Sequence, residues 1–292
     1  MRRLKLFWIL LKRTYKGWGE DNVTDLAAAI AYYTIFSIPP ILIILMSAAG
    51  SIFDGVTAKN QLIAQIGGFI GQGTADFIES LLENTAQKQT GGIASLVGAV
   101  VLLAGALGIF FHMQYALNII WKVPKKPAVN IIKTITERAL SFLVVLGISA
   151  LFLIILILSS VLSFLIGKVD GLKQNVFLLE TINFLVFFIT ITILIAIVYR
   201  VIPDKEISWT DVWLGAAVTG LLFMLGKYAI GFYLSLSNFG TAYGTAGSLI
   251  ILLIWIYYSL QIFLLGAEFT HAYSMSFGAR LKPKTALTPT IN

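Results

Sequence analysis

Long runs of apolar residues alternate with short polar segments along most of the chain. A helix needs roughly 20 apolar residues to cross a hydrocarbon core about 30 Å thick. Six runs are long enough, so the pattern predicts an all-α, polytopic membrane bundle that forms a single membrane domain over residues 1–292. The predicted transmembrane helices are residues 25–53, 93–121, 139–167, 178–201, 211–236 and 248–274.

Two further segments have helical periodicity but too many polar residues to cross a bilayer. Residues 1–20 place Phe7 and Trp8 among other apolar residues on one side and basic residues elsewhere. That arrangement is typical of an amphipathic helix that lies in the membrane interface. Residues 54–92 predict short amphipathic helices that cap the extracytoplasmic side, and residues 275–292 are expected to form a cytoplasmic tail.

The distribution of basic residues predicts the orientation of the bundle. Hydrophobic residues make up 58% of the chain and charged residues 12%, whereas about a quarter of a soluble domain is charged. With the N-terminus inside, 16 of the 21 Lys and Arg lie in inner segments and 4 in outer segments, and Lys227 lies within a span. The positive-inside rule therefore predicts that both termini are cytoplasmic. The absence of cysteine excludes disulfides and thiolate sites.

Lys227 is the sharpest candidate for a substrate-binding residue. It follows Trp213 by 14 residues, which corresponds to roughly 21 Å along a helix. A lysine at that depth costs on the order of 3 kcal/mol on insertion scales. Two interpretations stay open: its side chain snorkels to the outer headgroups, or it lines a polar cavity and contacts an anionic substrate or a carboxylate.

Five polar residues in the inner half of the predicted bundle are further candidates. Glu268 lies near the inner end of span six and Arg200 ends span four on the same side, while His112, Gln114 and Asn118 lie in span two. Ionisable groups in apolar surroundings tend to pair and to face the bundle interior. A Glu268–Arg200 pair is therefore expected, as a structural ion pair more readily than as a proton relay. His112 is interpreted as an interior, hydrogen-bonded histidine rather than a ligand.

Span one contains Pro39 and Pro40, which remove backbone hydrogen bonds and predict a kink. Asp25 opens this span at the depth of the inner charged residues. Hydroxyl groups precede the prolines, and they either serve a cavity or bond to the backbone groups that the prolines leave free. These hydroxyl residues are Tyr32, Tyr33, Thr34 and Ser37.

The uncharged loop 237–247 joins spans five and six and is rich in small residues. Gly240, Gly244 and Gly247 permit unusual backbone angles there. These three glycines, together with Pro39 and Pro40, are the candidate hinge or gating residues. The alternative interpretation of the loop is a tight outer turn. Small-residue faces on span five and the amphipathic outer segment favour self-association without fixing a stoichiometry.

Four segments, taken in their order along the chain, have a pattern that is shared with a known family. They are Ala27–Leu45 (AAAIAYYTIFSIPPILIIL), Leu107–Trp121 (LGIFFHMQYALNIIW), Tyr199–Leu234 (including RVIPDKEISWTDVWLGA) and Ala242–Phe269 (AYGTAGSLIILLIWIYYSLQIFLLGAEF). In these segments the chain resembles the YihY/BrkB family of bacterial inner-membrane proteins. The resemblance implies six spans, a location in the bacterial plasma membrane and a role in transport. The chain departs from the family pattern at Pro39-Pro40, where a single proline is common.

The predicted function is that of a transporter or permease for an anionic solute or a lipid-linked molecule. The alternative is a membrane-organising protein that binds lipids or partner proteins without transporting anything. A third interpretation, the ribonuclease activity once attached to the family, is rejected because metal-assisted cleavage needs clustered ligands, whereas His112 and His271 lie on different spans. We expect no enzymatic activity, no metal or other cofactor and no nucleic-acid partner; membrane lipids and a second copy of the chain are the expected partners.

Overall fold

The computed structural model describes part of the chain, and that part is almost entirely helical. The predicted span 139–167, as well as Gly240 and Gly244, lie outside it, and span 93–121 is described only from residue 108. The described residues are 2–50, 56, 59–60, 62–64, 67, 72–87, 108–124, 176–236, 246–277 and 282–283.

Three of the described helices are long and apolar enough to cross a membrane, over Phe184–Val201, Trp209–Tyr233 and Gly247–Ser276. The prediction of a helical membrane protein is confirmed, while the count of six spans stays a prediction. The elements in chain order are α1 (Arg2–Glu20), α2 (Val23–Gly50), α3 (Gln72–Gln87), α4 (108–120), α5 (Val176–Val201), β1 (Lys205–Glu206), α6 (Trp209–Leu236), α7 (Ala246–Phe277) and β2 (Lys282–Pro283).

The chain forms two compact units, and each is described by itself. Helices α6 and α7 contribute to both. Unit 1 comprises Met1–Val23, Met113–Leu222 and Phe263–Asn292, and unit 2 comprises Thr24–His112 and Phe223–Ile262.

In unit 1, a tight corner joins α1 to α2 and positions Asp21. The amide of Asp21 donates to the carbonyl of Gly17 over 2.9 Å, which continues the helical ladder. Asn22 then adopts a left-handed conformation with φ 49°, which asparagine tolerates at helix ends. Val23 is fully buried and begins α2 at once. The carboxyl of Asp21 is thereby held at the corner, only 8% exposed.

A second left-handed turn ends α4 and positions Lys122. The amide of Val123 donates to the carbonyl of Asn118, and the amide of Lys122 donates to that of Ile119, each over 2.9 Å. These two bonds form a Schellman motif, which usually places glycine where this chain has Lys122 with φ 52°. A lysine in this conformation costs about 1 kcal/mol or more. We therefore expect the Lys122 side chain to make a stabilising contact that glycine cannot make.

Helices α6 and α7 approach closely because each presents a glycine to a threonine of the other. A Cβ atom on Gly215 would lie 1.7 Å from Thr270 Oγ1, and a Cβ atom on Gly266 would lie 1.8 Å from Thr219 Oγ1. Thr219 donates its hydroxyl to Gly215 O over 2.7 Å, and Thr270 donates to Gly266 O over 2.6 Å. Both hydroxyls are satisfied within their own helices, which permits a dry, close contact between the helices.

The residues 205–206 and 282–283 form a short antiparallel ladder, with Lys205 opposite Pro283 and Glu206 opposite Lys282. This pairing ties the segment after α7 to the loop between α5 and α6. Within the predicted tail 275–292, residues 282–283 therefore pair with residues 205–206, and α7 itself continues to Phe277.

In unit 2, helix α2 continues without interruption through Pro39 and Pro40. A proline has no amide to donate to the carbonyl four residues earlier. Pro39 and Pro40 therefore leave the carbonyls of residues 35 and 36 without these helical hydrogen bonds. The hydroxyls of Thr34 and Ser37 instead donate to Ile30 O and Tyr33 O, over 2.8 and 2.7 Å. These two hydroxyls therefore do not compensate the groups that the prolines leave free.

Candidate functional site

Unit 1 contains two buried carboxyls and one half-exposed ammonium, those of Asp21, Glu268 and Lys122, here called the acid–lysine cluster. Asp21 is 8% exposed and Glu268 is 3% exposed. The ammonium of Lys122 contacts Oδ1 of Asp21. Each residue comes from a different part of the chain, namely the α1–α2 corner, the end of α4 and the body of α7. The fold therefore assembles a charged site from three separate elements.

Helix α1 holds Glu268 in place by packing against α7. A Cβ atom on Gly17 would lie 2.3 Å from Glu268 Oε2, so a larger residue there would displace the carboxyl. One turn earlier along α1, Arg13 donates to Ser276 Oγ over 2.7 Å. Leu10 completes the contact by packing in a cluster with Phe269 and Ala272. Helix α1 is thus docked on α7 along one face, a contact that the amphipathic pattern did not predict.

The two carboxyls of the cluster lie close enough to interact electrostatically. Oδ2 of Asp21 and Oε1 of Glu268 are buried and have no hydrogen-bond partner. Most buried polar atoms in proteins are paired, so each exception requires an explanation. Two neighbouring carboxylates also repel each other unless a proton or a cation compensates their charge, and Lys122 supplies a single positive charge.

Two more cationic or titratable residues surround the cluster. His271 lies near Lys122, Lys205 and Asp21, and its ring centroid is 5.4 Å from that of the fully buried Trp121. Lys205 donates to the carbonyl of Trp121 over 2.7 Å. Burial lowers the pKa of the Lys205 ammonium below its ordinary value. Lys205 and His271 therefore border the acid–lysine cluster on the side of Trp121.

The predicted partner of Glu268 is wrong. Arg200 directs its guanidinium toward the ring of Trp209, 5.9 Å from the ring centroid, and among the described ion pairs none joins it to Glu268. Asp21, at the corner before α2, lies beside Glu268 instead. Arg200 retains a buried Nη1 atom without a hydrogen-bond partner.

Asn118 and Gln114 serve the loop between α5 and α6. Asn118 donates to Asp204 Oδ2 over 3.0 Å and accepts from the backbone amide of Asp204 over 2.9 Å. Gln114 donates to Ile202 O over 3.2 Å. Because both Asn118 side-chain atoms are used, we assign this residue a structural role rather than the substrate contact that its position suggested.

The remaining candidates belong to unit 2 or to its helices. Tyr33 stacks on His112 with ring centroids 4.1 Å apart, which fits the interpretation of His112 as an interior side chain. Tyr32 is 59% exposed. Lys227 lies in α6, but the placement of its side chain is outside what the structure describes. Gly247 lies in the first turn of α7, not in the loop where it was predicted.

The sequence interpretation missed Asp21, Lys122 and His271 as members of one site. It selected Asp25, which is exposed, because that residue begins an apolar run, whereas Asp21 precedes the run by one helical turn. It also missed Asp211, which accepts from Ser274 Oγ over 2.8 Å and is 4% exposed. Nothing in the spacing of these residues indicates the contacts. Within the described residues, no group of three His, Asp or Glu is placed to hold a metal ion.

Comparison with known proteins gives a consistent result over nearly the whole chain. The family profile described as Virulence factor BrkB matches residues 14–289. A UPF0761 membrane protein of Psychromonas ingrahamii is 28% identical, covering 92% of this chain and 89% of that protein. One of Haemophilus influenzae is 25% identical, covering 92% and 95%. One of Alcanivorax borkumensis is 26% identical over 92% of this chain, which spans only 60% of that relative. No solved structure matches the chain.

Proposed function

Because the chain belongs to the virulence factor BrkB family of membrane proteins, we propose that it is a transporter of the bacterial inner membrane. The observation that carries this proposal is the buried acid–lysine cluster at the ends of membrane-crossing helices. Ionisable groups are costly in such surroundings, and where they persist they mark ion or substrate paths more often than in soluble proteins. A purely structural contact between α1 and α7 would be served at lower cost by apolar residues.

The proposed topology has six spans with both termini in the cytoplasm, as the basic residues indicate. It puts the cluster on the cytoplasmic side, together with the exposed apolar face of α1. On that face Phe7, Trp8 and Tyr15 are 53%, 67% and 80% exposed, while Lys12 and Lys16 lie beside them. Such a surface is suited to anionic headgroups and acyl chains. We therefore propose that α1 rests in the inner leaflet while its other face packs on α7.

The proposed substrate class is a small anionic solute or a lipid-linked anion. Lys122, Lys205 and Arg200 provide positive charge around the inner part of unit 1, which would attract an anion by long-range electrostatics. The non-transporting alternative, a protein that organises lipid through α1, is supported by the same exposed face of α1. We also propose that the protein has no catalytic activity, since the cluster holds neither an activated nucleophile nor an oriented base.

Solute flux from proteoliposomes tests this proposal. Vesicles containing the purified protein are loaded with a small-molecule extract of bacterial cytoplasm, and mass spectrometry follows the solutes that appear outside. We expect one chemical class of anion to leave faster than from protein-free vesicles. Glu268→Gln should reduce that flux to the protein-free level, and Glu206→Gln, which alters an exposed carboxyl on β1, should leave it intact. Equal release from all four preparations would remove the transport role and favour the lipid-organising alternative.

A further inference from the structure

The acid–lysine cluster has an unbalanced charge when all its groups are ionised. Asp21 and Glu268 then contribute two negative charges, and Lys122 contributes one positive charge. Glu20 does not change this count, because it is on the surface and pairs with Lys16 over 3.5 Å, the two side chains being 59% and 74% exposed. A net negative charge inside a buried site is unfavourable unless a proton or a cation compensates it. One further positive charge is needed to neutralise it.

The positions of the atoms indicate what supplies that charge. Oδ2 of Asp21 and Oε1 of Glu268 are both buried and both lack a hydrogen-bond partner, and the two carboxyls lie close enough to interact electrostatically. An ionised carboxylate only accepts hydrogen bonds, whereas a protonated carboxyl also donates one. A single proton on either group therefore gives the pair the donor that it lacks and removes the excess charge.

We propose that Asp21 and Glu268 form a proton-binding site, in which one proton is shared by the two carboxyls and Lys122 balances the remaining negative charge. Binding involves no other reactant: a carboxylate takes up a proton from water and later returns it. Only the assignment of this proton as the coupling ion of transport rests on the proposed function. The site itself depends on the contacts of unit 1.

Lys122 is the element that connects proton occupancy to the rest of unit 1. Its side chain is 53% exposed, whereas that of Asp21 is 6% exposed, so the ammonium has a route to solvent that the carboxyl lacks. A second proton on the pair would remove the charge that holds Lys122. His271, which lies near Lys122 and Lys205, and Glu20 at the end of α1 are the other titratable groups near the pair. Proton binding would thereby alter the contacts among the α1–α2 corner, the end of α4 and α7.

Infrared difference spectroscopy of the reconstituted full-length protein tests the site directly, with the proton itself as the probe. We expect the wild type to show the carbonyl stretch of a protonated carboxyl near neutral pH, which ordinary surface carboxyls lack. Glu268→Gln and Asp21→Asn should each abolish it, because the remaining carboxylate then pairs with Lys122 and ionises. Glu206→Gln should leave the band unchanged. The two amide variants are nearly isosteric, and the elution volume of each from a sizing column verifies folding.

A pair of glycine variants provides a second measurement that does not alter any titrating group. Gly17→Ala brings a methyl group against Glu268 Oε2, so the carbonyl band should shift, whereas Gly19→Ala has nothing within 4 Å of its Cβ atom and should not change it. A wild type without the band, or a band that survives in both amide variants, would overturn the site. A band that follows expectation in a protein that moves no solute would support the site and remove the transport role.

Discussion

Replacing Gly215 by alanine is expected to lower the free energy of unfolding by about 1 to 3 kcal/mol, the usual cost of forcing extra volume into a well-packed contact. The added methyl would lie 1.7 Å from Thr270 Oγ1, 2.6 Å from its Cβ and 2.8 Å from its Cγ2. Thr270 is fully buried, so its side chain has no free volume to enter. The two helices must therefore separate, which loses close contacts along their whole crossing. Denaturant titration in detergent micelles measures the change.

The matched control for that variant lies on the same helix. Gly231 has nothing within 4 Å of a Cβ atom, so Gly231→Ala should change stability by less than about 0.5 kcal/mol. Thr270→Ala added to Gly215→Ala should restore part of the loss, because it removes the two outer atoms of the clash and leaves the Cβ. Equal losses at Gly215 and Gly231 would show that the helices do not meet at the threonines.

Removing the ammonium of Lys122 should produce the other large effect. In Lys122→Met the carboxyl of Asp21, buried at the corner of α1 and α2, loses its ion-pair partner. Breaking a fully buried pair costs about 3 to 5 kcal/mol. Because Lys122 is half-exposed and water screens part of the interaction, we expect about 1 to 3 kcal/mol in this case. Reversible unfolding followed by tryptophan fluorescence reports the change.

Lys16→Met is the matched control, since Lys16 also pairs with an acid but on the surface of α1. Surface pairs at this spacing contribute about 0.3 to 0.5 kcal/mol, so the control should remain close to the wild type. If the two variants lose the same stability, the contact of Lys122 with Asp21 is a surface pair and the cluster has no special energetic role. Lys122→Gly would distinguish the effect of the lost ammonium on stability from the effect of the backbone conformation. Glycine relieves the left-handed strain, and it removes the ammonium as Lys122→Met does.

The membrane character of the protein follows from its sequence because it depends on composition and run length alone. The boundaries of α5, α6 and α7 lie within three residues of the predicted spans. The hydrophobic runs are long, and each apolar residue in a run supports the same prediction of a membrane-spanning helix. At Pro39 and Pro40 the sequence predicts a kink, and α2 continues through both residues to Gly50.

The charged site could not be predicted because it depends on contacts between distant segments. Asp21 and Lys122 are 101 positions apart and meet because two left-handed turns end their helices. Sequence reasoning ranked ionisable residues by depth in a span, which favoured Arg200 as the partner of Glu268. The docking of α1 on α7 could not be predicted either, because it too joins segments that are distant in the sequence. Its buried face is formed by Leu10, Thr14 and Gly17, while the more apolar face of α1 stays exposed.

The proposed transporter topology places the acid–lysine cluster at the cytoplasmic face of the inner membrane. The chain has no cysteine, so single cysteines report position without background. Glu206 is exposed on β1, which belongs to unit 1 with the cluster, and Ser80 is exposed on α3. A membrane-impermeant maleimide should label Glu206→Cys only in inside-out vesicles and Ser80→Cys only in intact spheroplasts. Labelling of Glu206→Cys in intact spheroplasts would contradict the orientation and with it the proposed cytoplasmic site.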